Sequence, residues 1–515
     1  MKELKEKLLS EIEDFRELGH KFYDGEVSMM DFKHASGGMG VYAERSRNTF
    51  MIRFRTPSGI INLDEMKWFI DKAKENNLDK MHFTTRQAIQ FHELSIDPLC
   101  DLMKEALEND IYTRGAGGNF PRNVAISPLS GVEVGEAFDV TPYALEVNKY
   151  FMERIRGYKL PRKLKVAFSN GEKDEAHCSM TDLGFLAVNN NGEKCFKVYI
   201  GGGIGQNPKI GVALDELINP NEILYHVEAM TRLFIAEGDY NNRARARVRY
   251  ILDRMGEEEF KKCYNKHLEE VKQEGNLDIN IKTSEISKEG INIDFTHKRL
   301  VAQKQDGLYS VYFHPFGGQA MIKDLENIFE FIKDAKDVEL RLTMTEGIFI
   351  RNLNGKEAEE LIKITENCGG ESRLQQSVSC IGVPICQMGM GNSQSMAQEI
   401  IEFFKEKGYS KDILPSIHVS GCGNSCGFHQ GALIGLTGKK KKFNEKMEDA
   451  FELHINGSFG EGNTKLAKVF GVLLAREIPQ FMYELSLMIE DKNIEFEEYV
   501  EKYEEEIIKL VEKFN

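Results

Sequence analysis

The sequence of 515 residues predicts an α+β fold built twice over, as two related lobes about a pseudo-twofold axis. Two observations predict it. A strand, helix, strand unit recurs about 259 residues further on, and a second pair of matching segments follows each copy. A repeat this long, present only twice, is not a solenoid, whose units are shorter and more numerous. A large ligand would sit between the lobes, where pockets are commonly found.

The first unit spans residues 50 to 94. "TFMIRFRTPSGI" reads as a strand. "DEMKWFIDKAKENN" reads as a helix with Met66, Phe69, Ile70 and Ala73 on one face, and "MHFTTRQAIQFHEL" as a strand alternating at Ile89 and Phe91. In the second unit "LYSVYFHPFGGQA" is a strand, "DLENIFEFIKDA" groups Leu325, Ile328, Phe329 and Ile332, and "VELRLTMTEGIFIRNL" alternates at Val338, Leu340 and Leu342. Downstream, "LKVAFSNG" matches "PSIHVSGCG", and "FKVYIGGGIGQN" matches "FELHINGSFGEG". Between the copies a helical pattern interleaves Arg243, Arg245, Arg247 and Arg249 with small residues, as a solvated helix or a docking face for an acidic donor would. Residues from about Ser284 to Lys298 read as an exposed connection and "GKKKKF" near Lys440 as a solvated turn. "IEFEEYVEKYEEEIIKLVEKF" reads as one amphipathic helix.

Lysine and arginine number 67 against 82 aspartates and glutamates, a net charge of -15. Such a surface repels a polyanion, which argues against nucleic-acid partners and makes any anion site local. "MKELKEKLLSEIEDF" has helical spacing and no apolar signal-peptide core, and no run reaches the roughly 18 apolar residues of a membrane span. The expectation is a cytoplasmic protein without a membrane partner. An odd count of nine cysteines agrees with a reducing compartment, where clustered cysteines more often mean metal than disulfide.

Four cysteines stand apart: Cys380 and Cys386 in "CIGVPIC", Cys422 and Cys426 in "GCGNSCG". Four thiolates hold either a zinc ion or a [4Fe-4S] cube. Neither pair has the tight two-residue spacing usual for structural zinc, and Gly421, Gly423 and Gly427 leave room for something bulky. Iron-sulfur, zinc and ordinary buried thiols all remain open on spacing alone. "LPRKLKVAF" sets another alternative. As a strand it points Lys163, Lys165 and Ala167 to one face and Leu164, Val166 and Phe168 to an apolar one, with Arg162 turned away from the lysines. Either an anion lies over the lysines, or they blunt an exposed edge strand. Arg86 and Arg122 are equally open between surface ion pairs and anion ligands.

The two cysteine pairs, "TTRQAIQFHEL", "PRNV" and "LPRKLK", in this order within a duplicated chain, resemble the siroheme- and [4Fe-4S]-dependent nitrite and sulfite reductases over roughly residues 35 to 500. The resemblance implies a [4Fe-4S] cluster on Cys380, Cys386, Cys422 and Cys426, with Cys426 bridging to the siroheme iron. It implies Arg86, Arg122, Lys163 and Lys165 around the substrate anion. Arg53, Arg55, Arg114 and Asn123 become partners for siroheme carboxylates, with Arg243, Arg245, Arg247 and Arg249 as further candidates, while His314 and His429 read as structural histidines. "GGGIGQN" from Gly201 lacks the context of a dinucleotide fingerprint.

The organisation implied is an N-terminal helical segment (1–35) and two ferredoxin-like half-domains (36–110 and 300–365). A first siroheme-binding lobe (111–290) and a second lobe with the cluster and a C-terminal helix (366–515) surround a central cofactor site. The implied activity is six-electron reduction of sulfite, because the sulfite type tends to have Lys-x-Lys where the nitrite type ends in Asn, and Lys165 is present. Nitrite reduction to ammonia by the same site is the alternative, and an iron-sulfur electron carrier without siroheme a third reading. Electrons would come from ferredoxin or a flavoprotein subunit.

Overall fold

The computed structural model describes residues 2–281 and 286–514. The start of the connection expected from Ser284 lies outside the described residues; from residue 286 it runs without regular structure and mostly exposed. Among the described residues no helix is long and apolar enough to cross a membrane.

Two five-stranded sheets answer each other strand for strand. The first runs Val41–Ala43, Phe50–Phe54, Ile89–Leu94, Lys80–Phe83 and then Gln319–Met321, which the second repeat supplies. The second runs Leu300–Ala302, Leu308–Phe313, Ile348–Asn354, Glu339–Leu342 and then Ile60–Ile61, which the first repeat supplies. Each repeat thus completes its partner's sheet. The pairs Ile52 with Phe91 and Val311 with Ile350 show the same register. Helix Leu63–Glu75 starts on a capping box between Asn62 and Glu65 and buries Met66, Phe69, Ile70 and Ala73. Helix Ile322–Ile332 buries Leu325, Ile328 and Ile332. Both halves share one apolar core, which helix Lys2–Tyr23 joins through Leu8, Ile12 and Phe15.

Two mixed sheets repeat the pattern. In the first lobe Ala125–Ile126, Val166–Ser169 and Leu183–Asn190 are parallel, followed antiparallel by Glu193–Ile200 and Val212–Ala213. The second lobe has Val378–Ser379, Ile417–Ser420, Ile434–Phe443, Lys446–Ile455 and Lys468–Leu474 in the same order and directions. Val166 pairs with Leu183 as Ile417 pairs with Ile434.

Several expected elements differ. "MHFTTRQAIQFHEL" and "VELRLTMTEGIFIRNL" are hairpins rather than single strands. Thr84 Oγ1 accepts the Ala88 N–H at 3.2 Å and Thr343 Oγ1 accepts the Gly347 N–H at 2.9 Å, so a threonine hydroxyl closes each turn. "GKKKKF" lies in the strand Ile434–Phe443, its lysines held by acids of the facing strand: Lys440 pairs with Asp449, and Lys439 with Glu452 at 3.3 Å. The C-terminal helix breaks at Tyr503 into Phe496–Lys502 and Glu504–Lys513. The arginine-rich stretch splits: Arg243 and Arg245 are exposed on a 3-10 turn, while Arg247 and Arg249 are buried.

Candidate functional site

One cavity of about 370 Å³ lies between the repeats and is lined by both. Nine lysines and arginines face it against two acids, Glu44 and Glu346, so its field is strongly positive. Burial pushes Glu346 up to about 8, which leaves that acid largely uncharged at neutral pH.

The first repeat supplies the cations of the cavity wall. Arg86 sits in the turn of residues 84–88, where its Nη2 donates to the carbonyls of Asn123 at 2.8 Å and Val166 at 3.2 Å. Asn123 in turn donates to the carbonyl of Gln87 at 2.9 Å. Arg122 donates to the carbonyls of Gly115 at 3.1 Å, Gly118 at 2.9 Å and Gly117. Arg53 reaches the Ala116 carbonyl at 3.0 Å and Arg55 the Pro121 carbonyl at 2.9 Å. All four guanidinium groups are therefore oriented by neutral backbone.

Lys163 and Lys165 reach the cavity because Leu164, Val166 and Phe168 are locked in the apolar core on the opposite face. The strand Val166–Ser169 lies inside its sheet, so the exposed-edge reading fails. Its start is pinned where the Lys165 N–H donates to Asp182 Oδ2 at 2.8 Å, and the same carboxylate pairs with Arg247 at 2.8 Å.

Among the described residues, none of Arg86, Arg122, Lys163 and Lys165 has an acidic side chain within ion-pair range. Burial pushes Arg86 down to about 10 and Arg122 down to about 9, the latter reinforced by Arg53 and Arg55. Burial pushes both lysines well below their usual value, helped by Arg247 and Arg122 at Lys163 and by Lys163 and Arg86 at Lys165. Cations gathered at this cost need an anion to relieve them.

The second repeat supplies sulfur. Cys380, Cys386, Cys422 and Cys426 all line the cavity. The Gly421 N–H donates to Cys380 Sγ at 3.1 Å, Arg45 donates to the Cys386 carbonyl at 3.2 Å, and Thr85 Oγ1 donates to the Cys426 carbonyl at 2.7 Å. Thr85 adjoins Arg86, so the cation turn and the thiol loop are bonded together. Among the described residues no three cysteine, histidine or acidic side chains close tightly enough on a point to hold a single metal ion.

Some residues fall elsewhere than expected. Arg114 does not line the cavity; it contacts Met39 Sδ at 3.0 Å and Glu11 at 3.3 Å. Arg162 does line it, because the chain there precedes the strand and strict alternation does not reach back to it. Arg243, one of the further candidates for siroheme carboxylates, lines it too, as do Lys33 and Tyr42, which were not singled out from the sequence. Tyr42 is held by the Gly118 N–H at 2.9 Å, and no sequence signal marks it. His314 is a bonded core residue, its Nε2 on the Thr345 carbonyl at 2.8 Å; His429 is buried against His454.

Sequence comparison agrees with this architecture. The family described as nitrite and sulphite reductase 4Fe-4S domain matches residues 117–272, and the nitrite/sulfite reductase ferredoxin-like half domain matches residues 42–109. A ferredoxin–nitrite reductase of Leptolyngbya laminosa is 26% identical over 467 residues, 88% of either chain. Sulfite reductase [ferredoxin] 1 of Mycolicibacterium paratuberculosis is 23% identical over 80% of this chain and 74% of its own. The solved structure of the Mycobacterium tuberculosis NirA protein superposes with a TM-score of 0.79 at 20% identity, covering 98% of this chain and 96% of that one.

Fold and site together define an oxidoreductase of the duplicated, cation-and-thiol type. The chain matches the nitrite and sulfite reductase models over residues 42–109 and 117–272, and the cofactors of that family are siroheme and a [4Fe-4S] cluster. The residues present fit both groups. Siroheme is a polycarboxylate, and the cavity offers unpaired cations together with two buried polar atoms lacking any partner, Arg86 Nε and Asn123 Oδ1. A cluster needs four thiolates, and burial pushes Cys380, Cys386 and Cys422 up, so that they ionise only with a cation among them.

Proposed function

We propose that this chain reduces sulfite to sulfide, with ferredoxin supplying six electrons one at a time. The carrying observation is the set of four cavity cations without acidic partners. Sulfite, a dianion near neutral pH, relieves more of that charge than monoanionic nitrite does. Two of the similar proteins are named ferredoxin enzymes, which supports ferredoxin as the donor.

In this reading Cys380, Cys386, Cys422 and Cys426 would hold the cluster, and Cys426 would also help to hold the siroheme. Arg53, Arg55 and Asn123 hold siroheme carboxylates. The bound cofactors supply an iron for the anion and a store for single electrons. Arg86, with its Nε free, and Arg122 hold substrate oxygens through charge-assisted hydrogen bonds. Lys163 and Lys165 balance the charge of the anion. Because burial and mutual repulsion depress both lysines, an arriving dianion raises their proton affinity, and they take up protons that can then pass to departing oxygens.

Nitrite reduction is the second reading, favoured by the named nitrite reductase at 26% identity. Steady-state kinetics with a chemical reductant separate the two. Wild type should favour sulfite in kcat/KM, and Lys165→Asn should move the ratio toward nitrite by about tenfold, one lost charge-assisted contact. A wild-type preference for nitrite would overturn the sulfite reading while leaving fold and cofactors in place.

A further inference from the structure

The matched registers allow the two repeats to be compared residue by residue, and Glu346 stands out. Its counterpart in the first repeat is Gln87, since Phe83 corresponds to Leu342 and Ala88 to Gly347. Gln87 uses its whole amide: Nε2 donates to the carbonyls of Ile126 at 2.9 Å and Leu342 at 2.8 Å, and Oε1 accepts the Ile126 N–H at 2.9 Å. Glu346 keeps only the accepting half, taking the Ser379 N–H at 2.8 Å. The donor is replaced from elsewhere, because Gln394 Nε2 donates to the Ser379 carbonyl at 2.6 Å. Glu346 therefore needs no donor of its own to hold this turn, and it lines the cavity.

The same comparison finds a second buried acid. The loop after Ser169 has the backbone of the loop after Ser420: Asp174 and Ser425 have φ of 50° and 53°, His177 and Phe428 of 58° and 63°. The Ala176 N–H bonds Ser169 Oγ at 3.1 Å as the Gly427 N–H bonds Ser420 Oγ at 3.0 Å. Glu175 therefore stands where the second repeat has Cys426, and its Oε2 is buried without a partner. Next to Glu346 along the chain lies a short run of bonded hydroxyls. Tyr312 and Thr345, counterparts of Arg53 and Arg86, bond at 2.8 Å, and Thr345 bonds Thr343 at 2.9 Å. The Tyr312 phenol holds its proton chiefly through burial, and Glu346 and Glu175 strengthen that hold whenever they are ionised. Glu175 also feels Glu133, which pairs at 2.5 Å with the exposed Lys173.

We propose that Glu346 passes protons into the cavity and is recharged from the surface at Glu133 and Lys173 by way of Glu175, Tyr312 and Thr345. This rests on the reductase reading above, whose reaction consumes protons at every oxygen removed. In each transfer the Glu346 O–H bond breaks, its proton goes to an oxygen of the bound anion or to water beside it, and the carboxylate takes a proton through the hydroxyls. No electron passes through these residues; ferredoxin supplies those. Burial suits both acids to the task, holding Glu175 at about 7 and Glu346 at about 8. The titratable groups behind them, His314 and His418, are pushed down to about 4 by burial and stay neutral, while the cavity itself presents Arg86 and Lys165.

Glu346→Gln tests this in the loaded enzyme, and Gln87 shows that glutamine fits such a turn. With siroheme and iron content equal to wild type, kcat should fall by at least about tenfold with KM little changed. The fall of wild-type rate above about pH 8 should vanish in E346Q and persist in Glu346→Asp. Infrared spectroscopy gives a readout independent of turnover: the carbonyl stretch of a protonated carboxylic acid, shifted in D2O, present in wild type at neutral pH and lost in E346Q. An unchanged infrared band, or an unchanged kcat and pH profile, overturns the proposal. If wild type reduces neither anion yet E346Q loses the band, the substrate reading falls and the buried acid stands.

Discussion

The two repeats share strand order, register and even the positive-φ positions of their loops, yet one wall of the cavity is cationic and the other sulfur-bearing. The turn that bears Arg86 in the first repeat bears Thr345 in the second, and the loop that bears Cys426 in the second bears Glu175 in the first. The comparison teaches that the backbone fixes where groups point, and side-chain exchange at a few turn positions decides what chemistry they do. The duplicated fold gives two potential half-sites; side-chain exchange leaves each repeat with a different part of one shared centre.

Asp182 offers the strongest way to break the first half. It is fully buried, pairs with buried Arg247 and anchors the Lys165 backbone. Asp182→Ala should destabilise by about 3–5 kcal/mol by leaving a buried guanidinium unpaired, as denaturant melts would show. The pH dependence of stability should differ next. Lys163 and Lys165 have folded values below their unfolded ones, so the folded chain without cofactors binds fewer protons than the unfolded chain. Its stability should therefore rise with pH from neutral toward about 10, by up to about 1.4 kcal/mol per pH unit for each lysine. Thermal melts at several pH values should show this slope, and loading with siroheme should flatten it. The smallest effect belongs far from the cavity: Lys440→Ala removes an exposed pair with Asp449 and should change stability by no more than about 0.5 kcal/mol.

Much of this was legible in the sequence. The duplication shows in apolar spacing, the four cysteines in their glycine surroundings, and the lysine face in the alternation of Leu164, Val166 and Phe168. What was not legible depended on tertiary contact. Arg162 faces the cavity because the strand begins only at Val166, a boundary that alternation cannot place. The lysine run at Lys439 to Lys442 looked like a turn, but the facing strand supplies Asp449 and Glu452 to neutralise part of it. Arg114 shares its segment with real cavity residues and is drawn off by Glu11 of the N-terminal helix. The exchange of Ile60–Ile61 and Gln319–Met321 between half-domains involves strands too short to carry any pattern.

The division between the walls is tested most directly by iron and acid-labile sulfide stoichiometry in Cys426→Ser beside Lys163→Ala and Lys165→Ala. The account predicts a full cluster in both lysine variants and a depleted one in the cysteine variant. Equal iron and sulfide in all three, or loss in the lysine variants alone, would contradict it.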